Sequence, residues 1–370
     1  MNAPLRAFGS SMFLYRHDRT LQLSFLFLLL LRNMNSTSAQ DLFLFSGQSN
    51  MLGHPTKNSA EAIEDGRSLF EDTLRLEGSA LIDRVDEAQF NALATSPHYD
   101  NQTAVRTVEA VSGLRERGVL DGVLKPLPNA YCLWNKATLR PLEAYAGCGS
   151  EFGPELTFAH SLQQQASSLY ATSQRPLHVR KAAVGGKVLA EFLPGGDMHQ
   201  LLFDVLDGAT PTGIYRAFVW YQGENDVLAE TSTQEYVDNF MRLVNLVTLR
   251  MYEHGKTAAA FANPADIPVI VVKLAFWPAS GTPRRTNIDR AHENVVEQLL
   301  SQGRPAALVE GLNRYSRFYH LDPATYLIAG DSIAQVYLNL TYVPPVDCGI
   351  FCRAGRFFQK NAELLYGNHG

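Results

Sequence analysis

The sequence predicts an α/β protein, a three-layer α/β/α sandwich on a five-stranded parallel sheet with a large insertion after the first strand. From Asp41 onward, short apolar runs alternate with longer segments that carry apolar residues at helical spacing, the pattern of strands joined by crossover helices. The runs are mostly apolar rather than alternating, as strands covered on both faces require. The 370 residues allow one large domain or two ordinary ones. With 46% hydrophobic and 19% charged residues, the composition is globular rather than disordered or collagenous.

The elements follow in order. Residues 1–39 hold the apolar core 21–31, preceded by Arg6, Arg16 and Arg19 and followed by Asn35-Ser36-Thr37-Ser38-Ala39. That order is expected of a secretory leader or signal anchor, since the core is shorter than the roughly 20 residues of a membrane span. The location that follows is secreted or lumenal, with no stable membrane insertion unless the leader is retained. Strands are expected at 42–45, 178–183, 214–220, 267–274 and 307–309, and helices at 154–169, 233–252, 286–300 and 324–340. Gly153-Pro154-Glu155 opens the first helix with proline early and an acid in the first turn. The catalytic domain is expected over 40–343. Within it, 52–150 forms an excursion with helices of its own near 59–76 and 103–117, and 344–370 is a surface tail. The sequons at Asn101 and Asn339 are compatible with secretion. In an oxidising compartment the simplest disulfide pairing is Cys132 with Cys148 and Cys348 with Cys352, one of three connectivities open to four cysteines.

Composition also excludes. Thirty-two basic against thirty-seven acidic residues give a net charge of −5 and leave no electrostatic footprint for nucleic acid. The ten histidines are scattered, with no His-x-x-x-His pair beside a carboxylate and no Cys-x-x-Cys, so no metal is expected. No P-loop-type glycine run is present and no cofactor is expected. Trp134, Trp220 and Trp277 offer faces for sugar rings, although aromatics in a chain of this size are usually core.

Four short blocks carry the candidate chemistry, each directly after an expected strand or just before the last helix. Ser46-Gly47-Gln48-Ser49-Asn50-Met51 puts a serine at the carboxyl end of the first strand, the edge where open α/β sheets bind ligands. A serine needs a base and oxyanion donors to act as a nucleophile. Val184-Gly185-Gly186-Lys187 offers backbone N–H groups that a ligand can approach closely. Trp220-Tyr221-Gln222-Gly223-Glu224-Asn225-Asp226 offers an amide donor, and Phe318-Tyr319-His320-Leu321-Asp322-Pro323 an imidazole.

These blocks, in this order, resemble those of the SGNH hydrolases, specifically the sialate O-acetylesterase and acetylxylan esterase branch, carbohydrate esterase family six. The resemblance covers Asp41 to about Leu340 and implies a flavodoxin-like strand order and an esterase that removes O-acetyl groups from carbohydrates through an acyl-serine. Residue by residue it implies Ser49 as nucleophile, His320 as general base, and Asn225 with the N–H groups of Gly186 and Ser49 as oxyanion hole. Gln48, Gln222 and Glu224 are the expected substrate-binding groups, and an acetylated carbohydrate the expected partner. One position departs: Arg317 stands where the family places the aspartate that orients the histidine. Asp322 and Glu310 are the available carboxylates, and a backbone carbonyl holding a Ser-His dyad is a third option. The departure keeps two alternatives open, a catalytically impaired carbohydrate-binding relative and an esterase of the same fold acting on other acyl esters.

Overall fold

The computed structural model describes residues 40–52, 130–134, 140–142, 153–166, 176–208, 213–255, 260–275, 283–314, 321 and 323–341, with part of 106–119. Its centre is a sheet of β1 (Gln40–Gly47), β2 (Ala130–Trp134), β3 (Arg140–Pro141), β4 (Leu177–Ala183), β5 (Gly213–Tyr221), β6 (Val269–Val272) and β7 (Ala306–Val309). The order is β3-β2-β4-β1-β5-β6-β7. Every neighbouring pair is parallel except β2 with β3.

The five expected strands are β1, β4, β5, β6 and β7, and their order β4-β1-β5-β6-β7 is the 2-1-3-4-5 order of flavodoxin-like sheets. Among the described residues the sheet has seven strands, six of them parallel, where five parallel strands were expected. β2 and β3 arise inside 52–150, so part of the excursion belongs to the main sheet. The run Ala130-Tyr131-Cys132-Leu133-Trp134 is short, and its partner β4 lies far along the chain, with Tyr131 opposite His178. β6 starts at Val269 rather than at 267, since Pro268 has no N–H to give to the ladder, and ends at Val272. The expected helix near 59–76, the leader and the tail 344–370 lie outside the described residues.

The helices are α1 (Ser49–Leu52), α2 (Glu155–Gln165), α3 (Asp197–Asp207), α4 (Glu224–Leu228), α5 (Thr233–Gly255), α6 (Pro283–Ser301) and α7 (Pro323–Thr341). Helical residues also occur within 106–119. Short 3-10 turns at Leu189–Phe192, Pro264–Asp266 and Leu312–Arg314 complete the order. α3 was not expected from the sequence.

Aromatic packing defines the two outer layers. On one face, Phe158 of α2 lies edge-on to Phe43 and Phe45 at 5.0 Å, and Tyr337 of α7 meets Phe43 at 5.0 Å. On the other, Phe240 of α5 lies against Phe218 and Trp220 at 6.4 and 5.4 Å. α2 and α7 are also joined by Ser161 Oγ, which donates to Asp331 Oδ1 at 2.7 Å. Arg117, from the excursion, reaches the other oxygen of Asp331 at 2.6 Å. Cys132 of β2 is disulfide-bonded, while Cys148, Cys348 and Cys352 lie outside the described residues.

β4 departs from an apolar strand. Its sequence LHVRKAA is buried throughout, with two cations inside it. Arg180 donates to Gly208 O at 3.1 Å. Lys181 pairs with Glu155 at 2.9 Å, with both side chains almost wholly buried, and also donates to Leu52 O at the end of α1. Glu155 Oε1 accepts the Gly153 N–H at 3.2 Å. Lys181 therefore ties the turn after β1 to the start of α2. Removing one partner of a buried ion pair leaves the other charge uncompensated, at about 3–5 kcal/mol. Lys181→Met should lower unfolding free energy by that amount in a urea titration at neutral pH, and Lys181→Met/Glu155→Leu should recover part of the loss. A single variant as stable as wild type would refute this role.

Candidate active site

The candidate site sits where β1, β4 and β5 end. β1 lies between the other two, with Gly47 opposite Ala183 on one side and Tyr221 on the other. Three of the four chemical blocks thus leave the sheet at one level. The crevice between β1 and β5 is where the strand order reverses, the usual ligand position in such sheets.

The first turn needs glycine. Gly47 has φ 151°, and a Cβ there would lie 2.0 Å from Tyr221 O. The close approach lets Gln48 N–H donate to that carbonyl at 3.2 Å, while Val184 N–H donates to Gly47 O at 3.3 Å. The chain then turns at once into α1, where the N–H groups of Met51 and Leu52 return to Gln48 O at 2.9 and 2.8 Å. Ser49 is the first residue of α1, so its own N–H has no acceptor within the helix. Its Oγ is buried and has no hydrogen-bond partner among the described residues.

Gly185 faces that serine and Gly186 faces Asn225. A Cβ on Gly185 would lie 3.7 Å from Ser49 Cβ, and one on Gly186 would lie 3.8 Å from Asn225 Nδ2. Gly186 has φ 75°, a conformation that side-chain-bearing residues rarely adopt. Ser49, the Gly-Gly turn and the Asn225 amide therefore stand around one small volume. An amide N–H and backbone N–H groups beside a hydroxyl can bind the oxygen of a tetrahedral adduct.

Gln222 and Glu224 are placed differently from the substrate-facing groups expected of them, since both are buried and bonded inward. Gln222 Nε2 donates to Lys187 O at 3.0 Å and to Asp226. The Tyr236 hydroxyl on α5 donates at 3.0 Å to Gln222 and receives the Trp220 indole N–H at 3.1 Å. Asp226 also accepts the Leu189 N–H at 2.9 Å and the Thr231 hydroxyl at 3.0 Å. This network fastens the Gly-Gly turn to α4 and so sets Gly186 against Asn225. Burial raises the Asp226 carboxyl, opposed by these hydrogen bonds. Glu224 is pushed up to about 7 by burial, against hydrogen bonds from the backbone and Asn50. Gln48 is fully buried, yet neither atom of its amide has a partner among the described residues.

Asn50 and Asp226 had no role assigned from the sequence. Both sit inside polar blocks that follow buried strands, and that position was the available signal. Glu310, just past β7, is about half exposed at 53% and accepts from Lys273 Nζ at 3.2 Å. Lys273 also pairs with Glu293. His320, Asp322 and Arg317 lie outside the described residues. Among the described residues, no three His, Cys, Asp or Glu groups are placed to hold a metal ion.

A family model for carbohydrate esterases, described as sialic acid-specific acetylesterase, matches residues 128–339. That span holds Gly186 and Asn225 and begins after Ser49, which β1 carries into the same site. The Arabidopsis thaliana protein named "Probable carbohydrate esterase At4g34215" is 27% identical over 236 residues, 60% of this chain and 81% of its own length. The crystal structure of that Arabidopsis protein superposes with a TM-score of 0.47 at 17% identity, covering 81% of this chain and 98% of the other. XAC1771, a carbohydrate acetylesterase from Xanthomonas citri, gives 0.44 at 11% identity, covering 82% and 57%. Since the family match takes in more than half of the chain, this protein belongs to the sialic acid-specific acetylesterase family of carbohydrate esterases and is a hydrolase of ester bonds.

Proposed function

We propose that this chain removes O-acetyl groups from carbohydrates by way of an acyl-serine on Ser49. The observation that carries the reading is the meeting of Ser49, Gly186 and Asn225 at the ends of three adjacent parallel strands. Ser49 Oγ attacks the acetyl carbonyl carbon while its proton passes to the imidazole of His320. The carbonyl oxygen becomes an oxyanion held by the Asn225 amide and the N–H groups of Gly186 and Ser49. The C–O bond to the sugar then breaks, and the sugar oxygen takes the proton from the imidazolium. Water repeats the sequence on the acetyl-serine, releasing acetate and restoring the hydroxyl.

Asp322 and Glu310 are the candidate acids that orient His320. The ion pair of Glu310 with Lys273 competes with that duty and favours Asp322. Gln48, with its amide uncommitted beside the nucleophile, is the better candidate of the three expected substrate-binding groups. The catalytic domain spans 40–343 in this reading. The leader is removed near Gln40, the first residue of β1, and the product is secreted or lumenal. The disulfide at Cys132 supports an oxidising compartment, with Cys148 the proposed partner.

Treatment with a serine-directed organophosphate should place one adduct on Ser49 by mass spectrometry, and Ser49→Ala should release no acetate from acetylated xylan or acetylated sialosides. Adducts elsewhere, with Ser49→Ala active, would sink the mechanism. Asn225→Ala should lower kcat by about 10²–10³ with little change in KM, and an effect confined to KM would reassign Asn225 to substrate positioning. N-terminal sequencing of exported material should start near residue 40. A soluble cytosolic protein that keeps Met1 would overturn the compartment and the disulfide reading together.

A further inference from the structure

Two hydrogen bonds of Asn50 reach the chain neighbours of groups with a proposed catalytic duty. Asn50 follows Ser49. Its Nδ2 donates to Glu224 Oε1 at 2.6 Å, and Glu224 precedes Asn225. Its Oδ1 accepts the N–H of Leu321 at 3.0 Å, and that N–H belongs to the peptide unit whose carbonyl is that of His320. The hydroxyl of Tyr326, on α7, approaches the same Oδ1 at 3.4 Å. Asn50 and Glu224 are 2% and 1% exposed. Their bonds span 174 and 271 residues of sequence.

The two halves of the arrangement depend on each other. An amide has a donor end and an acceptor end. At Asn50 the donor end is committed to the Glu224 carboxyl and the acceptor end to the chain at residue 321. Glu224 thereby helps to set which way the Asn50 amide faces. Without an acceptor at 224 the amide loses that hold, and once turned it would present an NH₂ group to the Leu321 N–H instead of an oxygen. Glu224 Oε2 is buried with no hydrogen-bond partner among the described residues, so the bond to Asn50 falls on Oε1.

We propose that Asn50 and Glu224 form a positioning pair that fixes the separation of the nucleophile turn, the oxyanion turn and the chain at Leu321, the residue after His320. The proposal rests on the reading of Ser49 and His320 given above. Neither residue is catalytic in the sense of touching substrate. The pair acts through its chain neighbours, and a misplacement of about 1 Å at reacting groups costs roughly 10² in rate.

The test compares variants of the full chain by kcat, KM, the rate at which an organophosphate labels residue 49, and thermal melting. Asn50→Ala and Glu224→Ala should each lower kcat and the labelling rate by at least about tenfold with KM within about threefold, and the double variant should be no worse than the poorer single one, as for groups acting as a unit. Glu224→Gln, turned with its amide oxygen to Asn50, keeps the acceptor and should recover most of the rate lost in Glu224→Ala. Asn50→Asp/Glu224→Gln exchanges donor and acceptor at nearly constant volume and keeps an oxygen for the Leu321 N–H, so it should also recover most of the rate. These near-isosteric variants decide the matter if the alanine variants do not fold. Loss of more than about tenfold in kcat in both of them, with melting unchanged, overturns the pair. Alanine variants that melt lower but keep kcat and labelling rate overturn it as well, since the residues would then serve stability alone. Failure of the underlying reading looks different: wild type itself would not be labelled at Ser49.

Discussion

A single rung of the sheet governs this molecule. Gly47 pairs with Ala183 and with Tyr221, so β4, β1 and β5 end side by side and in parallel. Because the strands are parallel, the loops that follow them leave from one edge. Because β1 is central, the serine turn is flanked by the other two. The rung tolerates only a residue without a side chain at 47, since the Tyr221 carbonyl occupies the place of a Cβ. The chemistry of the site depends on a backbone contact before it depends on any functional group.

Around this rung the protein buries polar groups at some expense. Lys181 and Glu155 form an ion pair inside the structure, and Gln222, Glu224 and Asp226 are enclosed behind the site. Charges and amides lose hydration on burial and recover it only where partners are supplied. Here the partners are supplied in sets that each join two loops. Lys181 joins the end of α1 to the start of α2, Asp226 joins the Gly-Gly turn to α4, and Asn50 joins the serine turn to α4 and to the chain at Leu321. The enclosure also pushes the Glu224 carboxyl up to about 7, mainly by burial. An apolar filling of the same volume would stabilise the fold without fixing the distances between loops.

Membership of a carbohydrate esterase family and the geometry of the site were reached by different routes. The family match begins at residue 128 and omits the serine block. The structure brings that block back, since β1 is the central strand although a long excursion separates it from the rest of the chain. Two strands of that excursion extend the sheet beyond β4, so its return to the fold is anchored by backbone pairing.

The sequence by itself determined the skeleton: five strands and their chain order, four of the helices, and the blocks at the strand ends. These features are local, being apolar runs, helical spacing and glycine pairs that a window of a dozen residues contains. Of the missed elements β2 lacked such a signal, whereas α3 carries one, with Met198, Leu202, Val205 and Leu206 at helical spacing. β2 is five residues long, and α3 had not been picked out between the Gly-Gly block and β5. What only the tertiary structure decided is the partner of each buried polar side chain. In the sequence Lys181 is a charge inside a strand, Glu155 an acid in a first helical turn, Gln222 and Glu224 polar residues beside a candidate donor. Their bonds reach across 14 to 174 positions where they leave their own block, and a hydrogen bond needs about 3 Å between atoms whatever the separation along the chain. That proximity exists only once the sheet has set its order, which is why the groups at the site were legible in the sequence and the bonds that hold them in place were not.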